Sequence, residues 1–285
     1  MKKMHDLHDS SVSRVIEQAL FEDLGFGDVT TDSIIPKEKL ATAHIISSEN
    51  GVAAGLEVAG LVYRYIDMQI TFSPLLRDGD VLTSGQTVAH IHGPLRGILQ
   101  GKQTALNFIM RMSGIASVTR EYVNEVKGTG VKIVGTRYTV PNFRMFDHLA
   151  FKAGGGTVRS FSSDQEIIVN NDFSHAVGGI SQTVRKALDY TKNYHRPVSV
   201  EVRTFDELRD ILDYTARLHR IILSGFPPQV LPQAVEKIGG KTEIEVTGNI
   251  SLQNVREVAE TGIHYIAVPE ATHSPRAISF TFRIS

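Results

Sequence analysis

The chain contains no cysteine and no tryptophan. The first absence excludes a disulfide framework, a thiolate zinc site and catalysis by a cysteine nucleophile, and is compatible with a reducing cytosol. Charge of one sign is not in excess either. Lys+Arg 30 against Asp+Glu 31 leaves a formal net charge of -1, so no global field favours nucleic acid or an anionic membrane as a partner, and any anion must be caught locally. The opening MKKMHDLHDS lacks an apolar leader core, and no run approaches the ~20 apolar residues of a spanning helix. The resulting expectation is a cytoplasmic protein without a membrane anchor. His5, Asp6, His8 and Asp9 resemble a chelating cluster, but a frayed terminus is the plainer reading.

What is present suffices for a sizeable core: 41% of 285 residues are hydrophobic, enough for one large or two moderate domains. Ser11 to Leu20 places Val12, Val15, Ile16, Ala19 and Leu20 on one helical face and stops at the turn-rich GFGD. A strand-like ATAHIISS follows. The small-residue segment GVAAGLEVAGLVYRYI then suits a helix packed closely on a sheet, and RDGDVLTSGQTVAHIHG has the glycine-punctuated rhythm of a small β-sandwich. That rhythm resembles a biotinyl or lipoyl hammerhead, but TSGQ has no lysine to carry a prosthetic group. His90 and His92 alternate with Ala89 and Ile91, for which a solvated strand face is a plainer reading than a metal site. From Gly97 a long helical pattern runs as far as SGIAS, read here as a break.

Beyond that point the rhythm changes. Strand-like KIVGT, EIIVNN, VSVEV, RIILSG, EIEVTG and YIAVP alternate with amphipathic ISQTVRKALDYTKNY, FDELRDILDYTARL and SLQNVREVAETG. Strands alternating with helices predict parallel βα units, a barrel or a partly open one, and continuous apolar strands predict burial on both faces. Functional groups of such a fold gather at the C-terminal strand ends. Arg137, Asn170, Asn171, Glu201, Ser224, Thr247 and Gly248 fall there.

Read in order, EDLGFGDVTT, GVAAGLEVAG, TALNFIMRMSGIAS, GTRYTVPNFR, AGGGTVRS, IIVNND, VEVRTFDEL, IILSG, EIEVTGNI and ATHS resemble the quinolinate phosphoribosyltransferase family, the carboxylating nicotinate-nucleotide pyrophosphorylases of NAD biosynthesis. The resemblance covers nearly the whole chain. It implies an α/β fold: an N-terminal α/β sandwich domain, residues 1–112 joined by the tail 275–285, and a C-terminal, partly open α/β barrel over residues 113–274. It also implies a homodimer, or a multiple of dimers, in which one subunit completes the other's site. The family reaction displaces pyrophosphate from phosphoribosyl pyrophosphate by a pyridine nitrogen, with decarboxylation. Cations hold the acceptor's two carboxylates, and acidic side chains position Mg²⁺ on the donor.

This chain departs from the family pattern at several of those positions. Where the family has E-R-T-A-L-N, D-T-R-K-T, His-Arg and I-K-D-N-H, this sequence has Gln103, Tyr138 after Arg137, Val158 before Arg159, and Asn170. Glu201 keeps the first acidic position and Ser224 replaces the aspartate of L-D-N. S-G-G reads Thr247-Gly248-Asn249, and Pro269 stands where a glycine precedes THS. Proline has no N–H to offer a phosphate oxygen.

Losing so many cations from a dianion pocket predicts poor quinolinate binding, since an unpaired buried carboxylate costs on the order of several kcal/mol. Arg137 and Arg159 suit one carboxylate or phosphate, with Tyr138 able to stack on a ring. Thr136, Gln103, Asn170, Ser224, Thr247, Gly248 and Asn249 complete the expected binding set. Glu201, Tyr138 and His175 are the catalytic candidates, and Glu201 is the single candidate Mg²⁺ ligand, weakened by Ser224; no organic cofactor is implied. His273 is read as ordering a loop, and Arg111 either reaches the site or snorkels. Three functions follow: a divergent transferase for a small anionic or heteroaromatic ligand, with phosphoribosyl pyrophosphate as the candidate donor; a non-catalytic binding or regulatory protein; or a genuine nicotinate-nucleotide pyrophosphorylase with an altered site.

Overall fold

The computed structural model describes residues 10–160 and 162–285. The His5, Asp6, His8, Asp9 cluster lies outside them. The chain forms two compact units, one of Met1–Arg120, Thr139–Gly155 and Glu270–Ser285, the other of Glu121–Tyr138 and Gly156–Pro269.

In the first unit, strands β1 (Leu40–Ser47), β3 (Thr71–Pro74) and β5 (Thr87–Pro94) join the C-terminal strand Phe280–Ile284 in an antiparallel sheet, ordered C-terminal strand, β1, β5, β3. Two short strands, β2 (Gly51–Val52) and β4 (Val81–Leu82), pair separately. Alternation along β1 turns Ala43, Ile45 and Ser47 inward and His44 outward. Helix α1 (Ser10–Leu24) buries Val12, Ile16 and Leu20. Helix α2 (Val29–Ile34) starts on Asp28, whose carboxylate accepts the Thr30 and Thr31 amides at 3.1 and 3.0 Å. Helix α3 (Leu56–Ile66) begins after Gly55, which has no side chain to cap it; Asp78 accepts the Gly55 and Leu56 amides instead, at 2.8 and 3.1 Å.

The expected break at SGIAS does not occur. Helix α4 spans Leu95–Glu125 without interruption. Its serines turn their hydroxyls onto backbone, Ser117 to the Ser113 carbonyl at 2.7 Å and Ser113 to that of Ala54 at 3.2 Å. Gly114 serves close packing: a Cβ there would lie 2.2 Å from the Arg276 carbonyl oxygen. Arg111, carried by the same helix, is held within the first unit. It makes two hydrogen bonds, at 3.0 and 2.9 Å, to the fully buried Asp147 of helix α5 (Arg144–Ala153), and a third to the Thr272 carbonyl. Burial pushes the Asp147 carboxyl upward, and the Arg111 guanidinium only partly opposes that.

The second unit is built on a parallel seven-stranded sheet ordered β7-β6-β12-β11-β10-β9-β8. The strands are β6 (Lys132–Gly135), β7 (Thr157–Val158), β8 (Ile167–Val169), β9 (Val198–Val202), β10 (Arg220–Ser224), β11 (Glu243–Thr247) and β12 (Tyr265–Ala267). All six strands expected from the sequence are present, and β7 is additional. Helices α6 (Asn171–Val177), α7 (Ile180–Tyr190), α8 (Phe205–Ile211), α9 (Leu231–Ile238) and α10 (Val255–Ala259) intervene, completing the α/β half-barrel. The strands are buried on both faces as expected, but the faces differ in character: Val198, Val200, Val202, Ile221, Leu223, Ile244, Val246 and Ile266 point one way, while Ser199, Glu201, Arg220, Glu243 and Glu245, with Ile222 among them, point the other.

Candidate functional site

The parallel register stacks the polar face in layers. Arg220 lies opposite Ser199 and Glu243, Ile222 opposite Glu201 and Glu245, and Ser224 opposite Thr247. In the lower two layers most of the charged groups pair with one another. Arg159, just past β7, donates to Glu245 at 2.7 Å and lies 3.3 Å from Glu166. Arg220 donates to the other Glu245 oxygen at 2.6 Å and to Glu243 at 2.9 Å, with its guanidinium 3.9 Å from the centre of the Tyr265 ring. Tyr265 donates to Glu243 at 2.9 Å, and Ser199 donates to Glu166.

Burial works against the Arg220 charge, but Glu245 and Glu243 outweigh it and its pKa is raised. For Glu243, burial is outweighed by hydrogen bonds from Arg220 and Tyr265, which hold its carboxyl below the usual range. Burial and the bond to Glu243 raise the Tyr265 phenol. The buried Arg220 Nε has no hydrogen-bond partner. A cavity of about 160 Å³ lies beside Arg220, Arg159 and Glu166, polar and large enough for water.

The upper layer, at the C-terminal strand ends, holds most of the residues expected from the sequence. Thr136, Arg137 and Tyr138 follow β6; Arg137 is exposed and donates to the Ser163 hydroxyl, and Tyr138 is 67% exposed. Asn170 ends β8 and caps α6 by accepting the Phe173 amide at 3.3 Å. Glu201, on β9, accepts two hydrogen bonds at 3.2 Å from Arg203, two residues on and so on the same strand face.

Ser224 and Thr247 lead into adjoining glycine turns. Gly225 (φ 75) donates to the Thr247 carbonyl at 2.8 Å, and a Cβ on Gly248 (φ 83) would lie 3.2 Å from the Gly225 nitrogen. Asn249 completes the turn at φ 56, a left-handed conformation that asparagine tolerates better than most residues. His175 is exposed in the last turn of α6. One residue of the expected set, Gln103, belongs to the first unit, exposed and donating to Asn107 at 2.9 Å; His273, read as ordering a loop, lies there too, beside the Ser274 hydroxyl at 2.6 Å.

The sequence reading missed Glu166, Arg203, Arg220, Glu243 and Glu245. The available signal was charge at alternate positions of otherwise apolar strands, RIILS and EIEVT, since a buried charge requires a partner.

The description "Quinolinate phosphoribosyl transferase, N-terminal domain" matches residues 28–113, and the C-terminal domain of that family matches residues 115–283. The chain belongs to the quinolinate phosphoribosyltransferase family. Among its relatives, quinolinate phosphoribosyltransferase (decarboxylating) 2b, mitochondrial, of Nicotiana tabacum is 30% identical over 98% of this chain and 83% of its own. A probable nicotinate-nucleotide pyrophosphorylase (carboxylating) of Bacillus subtilis is 28% identical over 96% and 93%. The crystal structure of NadC from Streptococcus pyogenes superposes with a TM-score of 0.92 at 30% identity, covering 99% of both chains. Membership makes the transferase fold and the NAD-biosynthesis setting of the family the frame for this chain. Among the described residues no helix is long and apolar enough to cross a membrane.

Proposed function

We propose that this chain is a divergent phosphoribosyltransferase-type enzyme whose acceptor is a small planar ligand carrying at most one negative charge, and that quinolinate is a poor substrate. The observation that carries this reading is the pairing of Arg159 with Glu166 and Glu245. In that network the guanidinium groups of Arg159 and Arg220 face the carboxylates of Glu166, Glu243 and Glu245, so carboxylates outnumber cations. A dianion approaching it meets repulsion. Arg137, exposed at the strand ends beside Tyr138, supplies the charge and ring face that suit a monoanionic aromatic acid. The glycine turns at Ser224–Gly225 and Thr247–Asn249 are the candidate cradle for the donor's phosphates.

The residues present do not build a protein-held Mg²⁺ site. Glu201 is engaged by Arg203, Ser224 offers no carboxylate, and among the described residues no group of three histidine, aspartate or glutamate side chains could hold a metal. Any Mg²⁺ would arrive on the donor's own phosphates. The engagement of Glu201 also favours a second reading, a binding protein that keeps the fold without turnover. A dimer, or a multiple of dimers, belongs to this proposal and is checked by light scattering.

The deciding experiment combines calorimetric titration of phosphoribosyl pyrophosphate, with and without Mg²⁺, with product assays on quinolinate and on monocarboxylic pyridines. Donor binding together with turnover of a monoacid that Arg137→Ala abolishes is the expected result. Donor binding without turnover of any acceptor selects the binding protein. Efficient quinolinate turnover refutes the proposal and returns the chain to the ordinary family reaction.

A further inference from the structure

The outward face of the antiparallel sheet carries three histidines that the transferase reading leaves unused. The register sets His44 on β1 opposite His90 on β5, and Thr42 opposite His92. The His44 and His90 rings meet edge to face, centroids 4.8 Å apart at 87°, with their Nδ1 atoms 2.7 Å apart. At that separation one ring carries its hydrogen on Nδ1 and donates to the bare Nδ1 of the other. Two imidazole nitrogens therefore converge on one point, where a proton now sits.

We propose that His44 and His90 form a bidentate site for a borderline divalent transition-metal ion, Cu²⁺ or Ni²⁺ ahead of Zn²⁺, with water filling the remaining positions. Imidazole nitrogen is the ligand these ions share, whereas Mg²⁺ prefers oxygen. Metal–nitrogen bonds of about 2.0–2.1 Å at a right angle set the two nitrogens about 2.9 Å apart, and a tetrahedral angle sets them about 3.3–3.4 Å apart. The observed 2.7 Å is close to the right-angle spacing that Cu²⁺ and Ni²⁺ prefer and further from the tetrahedral spacing of Zn²⁺. The two rings, whose Nδ1 atoms now face each other, turn outward by about 45° to aim both lone pairs at the ion.

Neighbouring groups support this assignment. The Ser285 hydroxyl lies 3.2 Å from His44 Nε2, placed to accept its N–H once Nδ1 turns to a metal. His92 is occupied differently, its Nδ1 3.0 Å from the Thr42 hydroxyl, so the chelate consists of His44 and His90. The charged residue that the register sets beside the pair is Arg283, opposite His44 on the C-terminal strand; Ser73 lies opposite His90 and Thr71 opposite His92. Arg283 opposes a dication and keeps the affinity modest, by an amount that salt screens.

The test uses the full chain carrying His5→Gln and His8→Gln, which removes the N-terminal histidines as competing ligands. Calorimetric titration with Cu²⁺ and with Ni²⁺ is expected to show one ion per chain. His44→Gln or His90→Gln should weaken binding by about tenfold or more. His92→Gln should leave it unchanged, and Arg283→Gln should tighten it roughly two- to threefold at low salt. Equal affinity in the parent and both pair variants, or equal loss with His92→Gln, overturns the proposal. Should a pair variant fail to fold, the Cu²⁺ electron paramagnetic resonance spectrum of the parent decides. Coupling to two imidazole nitrogens supports the site, and coupling to one or none refutes it.

Discussion

Replacing Arg159 with methionine keeps the length of the side chain and removes its charge. The Arg159 side chain is 17% exposed, while those of Glu166 and Glu245 are 4% and 2% exposed. After the substitution Glu245 retains Arg220, whereas Glu166 is left with the Ser199 hydroxyl alone. Removing one partner of a buried pair costs about 3–5 kcal/mol, and the surviving Arg220 contact together with the partial exposure of Arg159 points to the low end, about 3 kcal/mol. The loss should be local to the parallel sheet. Amide hydrogen exchange of Val246 on β11 is a suitable readout, alongside urea unfolding followed by circular dichroism, since the chain has no tryptophan. Adding Glu166→Gln to Arg159→Met removes the stranded charge and should recover a substantial part of the loss, a coupling that a double-mutant cycle measures. A cost below about 1 kcal/mol for Arg159→Met, or no recovery in the double variant, would refute the view that Arg159 is committed to these carboxylates. It would also remove the main support for the proposed acceptor.

Asp28→Ala should cost about 1 kcal/mol through loss of the α2 cap. The Thr31 hydroxyl and amide hold the Asp28 carboxyl below its ordinary value of 3.8, so its contribution is present above that pH and lost as pH falls through the lower folded value. Thermal melts of wild type and Asp28→Asn, which keeps the cap without the titration, should converge in acid. Gly114→Ala should destabilise the first unit by about 1–3 kcal/mol, because the Arg276 carbonyl cannot yield as a flexible side chain can. An unchanged melting temperature would show that the C-terminal segment moves freely away from α4.

Legibility in the sequence followed the range of the interactions involved. The α7 and α8 helices and the β9 to β12 strands were readable because periodicities of 3.6 and 2 are local consequences of burying one face. The course of α4 was misread because SGIAS carries residues that end helices when exposed. Here Ser113 and Ser117 bond to backbone, and Gly114 admits a carbonyl from Arg276, far along the chain. Similarly, Arg137 and Arg159 could be marked as anion-binding candidates from their segments. Their present partners, Ser163 for one and Glu166 with Glu245 for the other, come from pairing between non-adjacent segments.

By itself the sequence determined the α/β class, the order of its strands and helices, the family, and the residue types at the strand ends. Each depends on local pattern or on motifs kept in order along the chain. Tertiary structure alone decided which polar side chains are committed to one another: Arg159 to Glu245 across the sheet, Arg220 to Glu243 and Glu245, and His44 to His90. The physical reason is that Coulomb and hydrogen-bond energies depend on separations of a few ångströms in three dimensions, which strand register sets and sequence spacing does not.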